Sequence, residues 1–229
     1  MIQNLFFDSL PSTNTFAKEN IASLSLPTLI TANEQTAGRG RRGNSFFSPK
    51  NTGLYMTLAL EEKYDSSLIT PAVAVAVCDV LTDTGIDAKI KWVNDIFIKN
   101  KKVCGILCER CISNNKSYLI IGIGINITTS IFPDDLTSAG SININCDKEK
   151  LAKDISSKII EYIEKNDNEE IVIKYREKLF IIGKDIRYYK NNIEFKGTVK
   201  DINDQCNLII TLPDGNEDTL SSGEISIIL

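Results

Sequence analysis

Apolar positions along the chain change period several times, and each change predicts an element. The run Leu5-Phe6-Phe7 predicts a short strand, and Ser12-Thr13 offers an N-cap to a helix carrying Phe16, Ala17 and Ile21. Thr28 to Asn33 and Gly53 to Leu60 read as strands. Thr70-Pro71 predicts a helix start with threonine as cap and proline at the first position. The Ala/Val run 72–77 is apolar on most sides, so that helix is expected to be buried, and Gly85 ends it. Ala88 to Val93, Ile96 to Ile98, Val103 to Cys111 and Tyr118 to Ile127 are strand-like, with polar turns at Lys99-Asn100-Lys101-Lys102 and Ser113-Asn114-Asn115-Lys116. Asp147 caps an amphipathic helix with Leu151, Ile155, Ile159 and Tyr162 on one face, and a last helix runs from Glu169 to Ile182, closed by Gly183.

After Gly183 the texture changes. Strand signals recur at 185–190, 193–202, 207–212, 217–220 and 225–228, with turn chemistry at Asn191-Asn192 and Pro213-Asp214-Gly215. The expected organisation is therefore an α+β domain over residues 1–183 and a small β-barrel over 184–229.

Composition narrows the chemistry. The 229 residues carry a net charge of -4, which gives no global footprint for nucleic acid. No apolar run is long enough to span a bilayer, and Met1-Ile2-Gln3-Asn4 lacks a basic leader, so a cytoplasmic protein is the default and no membrane partner is expected. Histidine is absent, which removes Ser-His and Cys-His nucleophilic schemes and every histidine metal site. Cys104, Cys108 and Cys111 have a spacing that also serves iron–sulfur clusters. Within a strand, however, Cys104 and Cys108 share a face roughly 13 Å apart while Cys111 points the other way. Buried small hydrophobes are the better reading, and no protein metal site is expected.

Three segments carry candidate chemistry. Gly38-Arg39-Gly40-Arg41-Arg42-Gly43 alternates backbone freedom with planar donor forks, and no acidic residue lies between Gln35 and Leu60. It lacks the G-K-[ST] of a Walker loop, but it suits closure over an anion. Lys89-Ile90-Lys91-Trp92-Val93-Asn94-Asp95 places Lys91 as a fixed cation, with Asn94 and Asp95 able to hold polar ligand groups or a magnesium ion. Ile121-Gly122-Ile123-Gly124-Ile125-Asn126-Ile127 puts glycines inside a strand, where either a flat ligand or a tightly packed helix can approach the backbone.

Taken in order, Ser12-Thr13-Asn14, Gln35-Thr36-Ala37 with the Gly/Arg loop, Phe47-Ser48-Pro49, Lys91-Trp92-Val93-Asn94-Asp95, Gly105-Ile106-Leu107-Cys108-Glu109, Gly122-Ile123-Gly124-Ile125-Asn126 and Gly223-Glu224-Ile225-Ser226 resemble the biotin–protein ligases across nearly the whole chain. The resemblance implies a mixed β-sheet catalytic domain with flanking helices, like that of class II aminoacyl-tRNA synthetases, followed by a small SH3-like β-barrel. It implies activation of biotin by ATP, with Mg²⁺, to biotinoyl-5'-AMP, and transfer to a lysine of a biotin carboxyl carrier protein. Carried over by motif, Ser12, Thr13, Asn14 and Gln35 hold the ring end of biotin. Gly38, Arg39 and Arg41 cover its tail and the phosphate, and Gly105, Gly122 and Gly124 let it lie against the sheet. Lys91 meets the reacting carboxylate and phosphate, so Lys91, Arg39 and Arg41 are the expected catalytic groups. Arg41, Arg42, Phe46, Lys91, Asn94 and Asn126 serve ATP, with Asn126 at the adenine.

The chain departs from the family pattern at Val93, where proline is common, and at Phe46, where tryptophan is usual. Some members carry an N-terminal repressor domain; here the ligase pattern starts within the first dozen residues, so no DNA binding is expected. An exposed sheet edge would allow a homodimer. The alternatives are a lipoate–protein ligase-like acyl-adenylating transferase and a non-catalytic RNA-binding module.

Overall fold

A computed structural model describes residues 1–63, 68–190, 193–221 and 225–227. The expected turn Asn191-Asn192, the pair Gly223-Glu224 and the end of the last strand at 228 lie outside the described residues. Strands β1 (Gln3–Phe7), β2 (Thr28–Ala32), β3 (Gly53–Glu61), β4 (Lys89–Lys91), β5 (Asp95–Ile98), β6 (Lys101–Ser113) and β7 (Lys116–Asn126) form one sheet in the order β1-β2-β3-β7-β6-β5-β4. The β1–β2 pair is parallel and the others antiparallel, so the sheet is mixed. Helix α1 (Thr13–Asn20) makes the crossover that a parallel pair requires.

Strand β7 shows why the two faces differ. Leu119, Ile121, Ile123 and Ile125 point into the main core, built on α2 (Ile69–Asp83), α3 (Lys148–Lys165) and α4 (Asn168–Lys178). The alternate residues Tyr118 and Ile120 join a smaller core with Ala17 and Ile21 under α1. The next positions on that face are Gly122 and Gly124, where the apolar cover stops and a cleft opens. The cysteines of β6 follow the same alternation: Cys104 and Cys108 pack with the main core and Cys111 with the α1 core, as the sequence pattern predicts.

Two helix boundaries differ from expectation. Helix α2 starts at Ile69, and its cap position, Leu68, makes no side-chain cap bond. The first helical bond runs from Ala72 N to Leu68 O, so Thr70 lies inside the helix. Helix α4 stops at Lys178, short of Ile182. Leu179 turns extended and bridges in parallel to Ile90, and Phe180 N donates to Ile90 O, so the apolar tail covers the edge strand β4.

Strands β8 (Asp185–Lys190), β9 (Ile193–Ile202), β10 (Leu208–Thr211), β11 (Glu217–Leu220) and β12 (Ile225–Ile227) form an antiparallel sheet in the order β11-β10-β9-β8-β12. Its inner residues, among them Ile186, Val199 and Leu208, join the main core cluster. Among the described residues, no helix is long and apolar enough to cross a membrane.

Candidate active site

The cleft on the α1 face has a volume of about 480 Å³, within the range of small-molecule sites. Segments far apart in the chain meet there, among them the start of α1, the Gly/Arg loop, the 91–95 hairpin, β6 and β7.

At one end the polar groups of α1 are locked into a network. The Thr13 N–H and hydroxyl donate to Gln35 Oε1 at 2.9 and 3.1 Å, and Gln35 Nε2 donates to Ser48 Oγ at 2.9 Å. Asn14 Nδ2 donates to Leu107 O and to Glu109 Oε2, and the buried Thr57 hydroxyl lies 2.8 Å from Thr13 Oγ1 and 2.6 Å from Asn14 Oδ1. Ser12, the observed N-cap, accepts from Thr15 N. The amide of Gln35 therefore fixes the shape of this end.

The loop is a tight hairpin. Phe46 N donates to Gly38 O, Gly40 N donates to Asn44 O, and Arg39 bridges Ser45 across the turn Arg41–Gly43. Arg39 forks onto Glu109 with N–O distances of 3.1 and 3.2 Å, and Arg41 donates to Asn94 Oδ1 at 3.1 Å. Asn94 is held in turn by its own donation to Ile106 O at 2.8 Å. Burial alone would raise the Glu109 carboxyl, but hydrogen bonds from Lys18 and Asn14, with the charges of Lys18 and Arg39, hold it below the usual glutamate range.

Lys91 lies at the edge of the cleft with its Nζ 5.7 Å from the centre of the Phe97 ring. The strand turn beside it is braced from behind. Trp92 Nε1 donates to Cys206 O at 2.9 Å, Tyr175 OH donates to Val93 O at 2.9 Å, and the Trp92–Val93 peptide is cis.

Of the residues expected from sequence, Ser12, Thr13, Asn14, Gln35, Arg39, Arg41, Arg42, Phe46, Lys91, Asn94, Gly105, Gly122 and Gly124 line this one cleft. Two do not. Gly38 is packed inside the loop, where a Cβ would sit 2.3 Å from Phe46 O; its absence of side chain lets the two legs of the hairpin meet. Asn126, the next residue after Gly124 on the same face of β7, is buried beyond the cleft lining, its Nδ2 donating to Gly140 O at 3.0 Å and its Oδ1 without a hydrogen-bond partner among the described residues.

The glycines also differ from expectation. Asn14 already covers Gly122, where a Cβ would lie 2.2 Å from its Oδ1, and the Phe46 ring lies on the cross-strand pair Gly105–Gly124, 2.4 Å from a Cβ at Gly124. The small residues thus accommodate this chain's own side chains. Because cleft-facing positions recur every second residue of β7, Phe46 stands between the Asn14 end and the Asn126 end of the site.

Sequence reasoning missed Glu109 as a hub and placed Lys102 in a polar turn. Strand β6 extends back to Lys101, and Lys102 lines the cleft with its Nζ 2.7 Å from Asp95 Oδ1. The register explains this: Ile96 pairs with Cys104 but Phe97 pairs with Lys102, so Val103 is bulged and the alternation flips. The cleft is thus lined by Arg39, Arg41, Arg42, Lys91 and Lys102, while its acid, Asp95, is already paired. Among the described residues no three acidic or cysteine groups converge to hold a metal.

The cleft's residues fall within a sequence pattern shared with known proteins. Residues 6–126 match the biotin/lipoate A/B protein ligase family, and residues 181–227 match the biotin protein ligase C-terminal domain. The chain belongs to the biotin/lipoate A/B protein ligase family.

Similar members of that family include the bifunctional ligase/repressor BirA of Bacillus subtilis, 38% identical over 141 residues, covering 58% of this chain and 43% of the relative. BirA of Salmonella typhimurium is 26% identical over 231 residues, covering 95% and 72%. The match with the first of these spans less than half of that relative's length. Among solved structures, the biotin protein ligase of Aquifex aeolicus in complex with biotin and ATP superposes with a TM-score of 0.84 at 26% identity, covering 99% of this chain and 98% of that one. The Leishmania major enzyme in complex with biotinyl-5-AMP gives 0.68 at 25% identity, covering 96% and 99%.

Proposed function

We propose that this protein is a biotin–protein ligase: it activates biotin with ATP and transfers the biotinoyl group to a lysine of a biotin carboxyl carrier protein in the cytoplasm. The observation that carries the reading is the convergence of five cations and the locked Thr13–Gln35 network in one cleft, in a chain of this family whose C-terminal segment matches the domain of biotin ligases. That C-terminal match weighs against the lipoate alternative. We read residues 1–183 as the catalytic unit; residues 184–229 brace it through Cys206 and contribute Ile225 to the cleft.

In this reading the Ser12–Gln35 end receives the ring of biotin, and its tail passes Phe46 toward the cations. The carboxylate is already a nucleophile at neutral pH. An oxygen of it bonds to the α-phosphorus, the bond to the β-phosphate oxygen breaks, and pyrophosphate leaves. Two anions must meet, so the catalytic task is charge neutralisation and alignment. Lys91, Arg41, Arg42 and Lys102 serve it, and the adenine amino group would have to reach the buried Asn126 Oδ1 by displacing what now covers it. Among the described residues no acidic groups converge to hold a metal, so a Mg²⁺ would be held chiefly by the ATP phosphates, where it would help neutralise their charge. In the second step the neutral lysine amine of the carrier attacks the acyl carbon; the C–O bond to AMP breaks and the amine proton is lost.

The test is pyrophosphate release from ATP and Mg²⁺ with biotin or lipoate as the acid, followed by labelling of a carrier domain. Release driven by lipoate, or by neither acid, would overturn the proposal.

A further inference from the structure

Glu109 carries more positive charge than it needs. Lys18 Nζ lies 2.8 Å from its Oε1, Arg39 forks onto both oxygens, and Asn14 Nδ2 donates to Oε2 at 3.1 Å. The partners are of two kinds. Lys18 and Asn14 belong to α1, which is anchored by the buried Ala17 and by the Asn14 contacts with Leu107 and Thr57. Arg39 belongs to the hairpin loop, and its side chain is 42% exposed where that of Glu109 is 17% exposed. Of these partners, only Arg39 sits on a loop outside the regular helices and strands.

A largely buried carboxylate is costly to strip of its last cation. Here the departure of Arg39 leaves Glu109 with Lys18 and Asn14, so the exchange avoids that cost. Arg39 also lines the cleft, within reach of whatever anion fills it. We infer that Glu109 is a positioning residue that parks Arg39 beside the cleft and yields it to the anionic portion of the substrate, with Lys18 keeping Glu109 paired during the exchange. This rests on the reading of the cleft as a site for biotin and ATP.

The loop's arginines make it a trypsin substrate, so limited proteolysis with mass-spectrometric mapping of cuts after residues 39, 41 and 42 measures its opening. Without ligands, Glu109→Gln should be cut about fivefold faster than wild type, the size expected for loss of one half-exposed ion pair. With saturating biotin, ATP and Mg²⁺ the two proteins should be cut at the same rate, because Arg39 has left Glu109. Equal rates in the empty proteins would overturn the parking contact. The same acceleration with and without ligands would make Glu109 a permanent strut and overturn the exchange. If Glu109→Gln does not fold, Lys18→Met decides: Arg39 becomes the sole cation on Glu109, so biotin affinity by calorimetry should fall several-fold, and unchanged affinity refutes the inference. A wild-type protein that gains no protection and releases no pyrophosphate sinks the functional reading, while the empty-protein comparison still judges the parking contact.

Discussion

Gly122→Ala tests the packing on which the ring end of the cleft depends. A methyl group there would sit 2.2, 2.7 and 2.8 Å from Oδ1, Cγ and Nδ2 of Asn14, well inside contact distance. Asn14 is 4% exposed and holds Leu107 O, Glu109 Oε2 and the Thr57 hydroxyl, so it cannot rotate away without breaking those bonds. Losing two or three buried hydrogen bonds at about 1 kcal/mol each, with some groups left unsatisfied, predicts a cost of roughly 2–4 kcal/mol. Urea unfolding measures it directly. The argument is specific to the amide, so Asn14→Ala should absorb it: the double variant should be about as stable as Asn14→Ala alone, giving a coupling energy equal to the Gly122→Ala cost, roughly 2–4 kcal/mol. Strict additivity, or a Gly122→Ala protein within about 0.5 kcal/mol of wild type, would refute the reasoning.

Lys91→Ala should abolish biotin-dependent pyrophosphate release while costing about 1 kcal/mol or less of stability, because the side chain is only part-buried and its Nζ lies 5.7 Å from the Phe97 ring centre; turnover at the wild-type rate would remove Lys91 from the mechanism. Trp92→Phe keeps a ring but loses the donor to Cys206 O, and should cost about 1–2 kcal/mol in urea unfolding, whereas an unchanged midpoint would show that the brace carries no weight. Burial opposes ionisation of Asp79, but hydrogen bonds from Lys178 and Tyr162 and the charge of Lys174 hold its carboxyl below the ordinary value of 3.8. Its stabilisation is therefore present above that value and lost as pH falls through the lowered one, so Asp79→Asn should reduce stability at neutral pH and flatten the acid limb of the stability–pH curve. Parallel limbs for the two proteins would contradict this.

Strands and caps were legible where local chemistry was strong. Ser12 and Asp147 cap the helices they were expected to cap, and the strand spans of the C-terminal sheet follow the predicted intervals closely, because cap and turn residues act through bonds a few residues away. Legibility failed where a distant partner competed. The apolar tail of α4 looks helical until the edge of β4 is there to be covered, and Thr70 is a sound cap signal overtaken by a helix that begins at Ile69, two residues before the expected Pro71. In the site, the cleft residues were legible as types, but most of their partners were not: Arg39 meets Glu109 across 70 residues and Arg41 meets Asn94 across 53.

What the order of residues determined by itself is the period of each element and the supply of chemistry. Alternating isoleucine and glycine on β7 already implies one apolar face and one face free of side chains, since successive residues of a strand must point to opposite sides. The absence of histidine already removes histidine-based nucleophilic schemes, and the clustered arginines already supply an anion-binding loop. What only the tertiary structure decided is which groups fill that free face and which cations look into it. Phe46 and Asn14 take the glycine positions because the loop and α1 happen to cross there. Lys102 faces the cleft because one bulged residue, Val103, reverses the alternation of β6, and such a bulge is a property of how two strands pair, not of either strand alone.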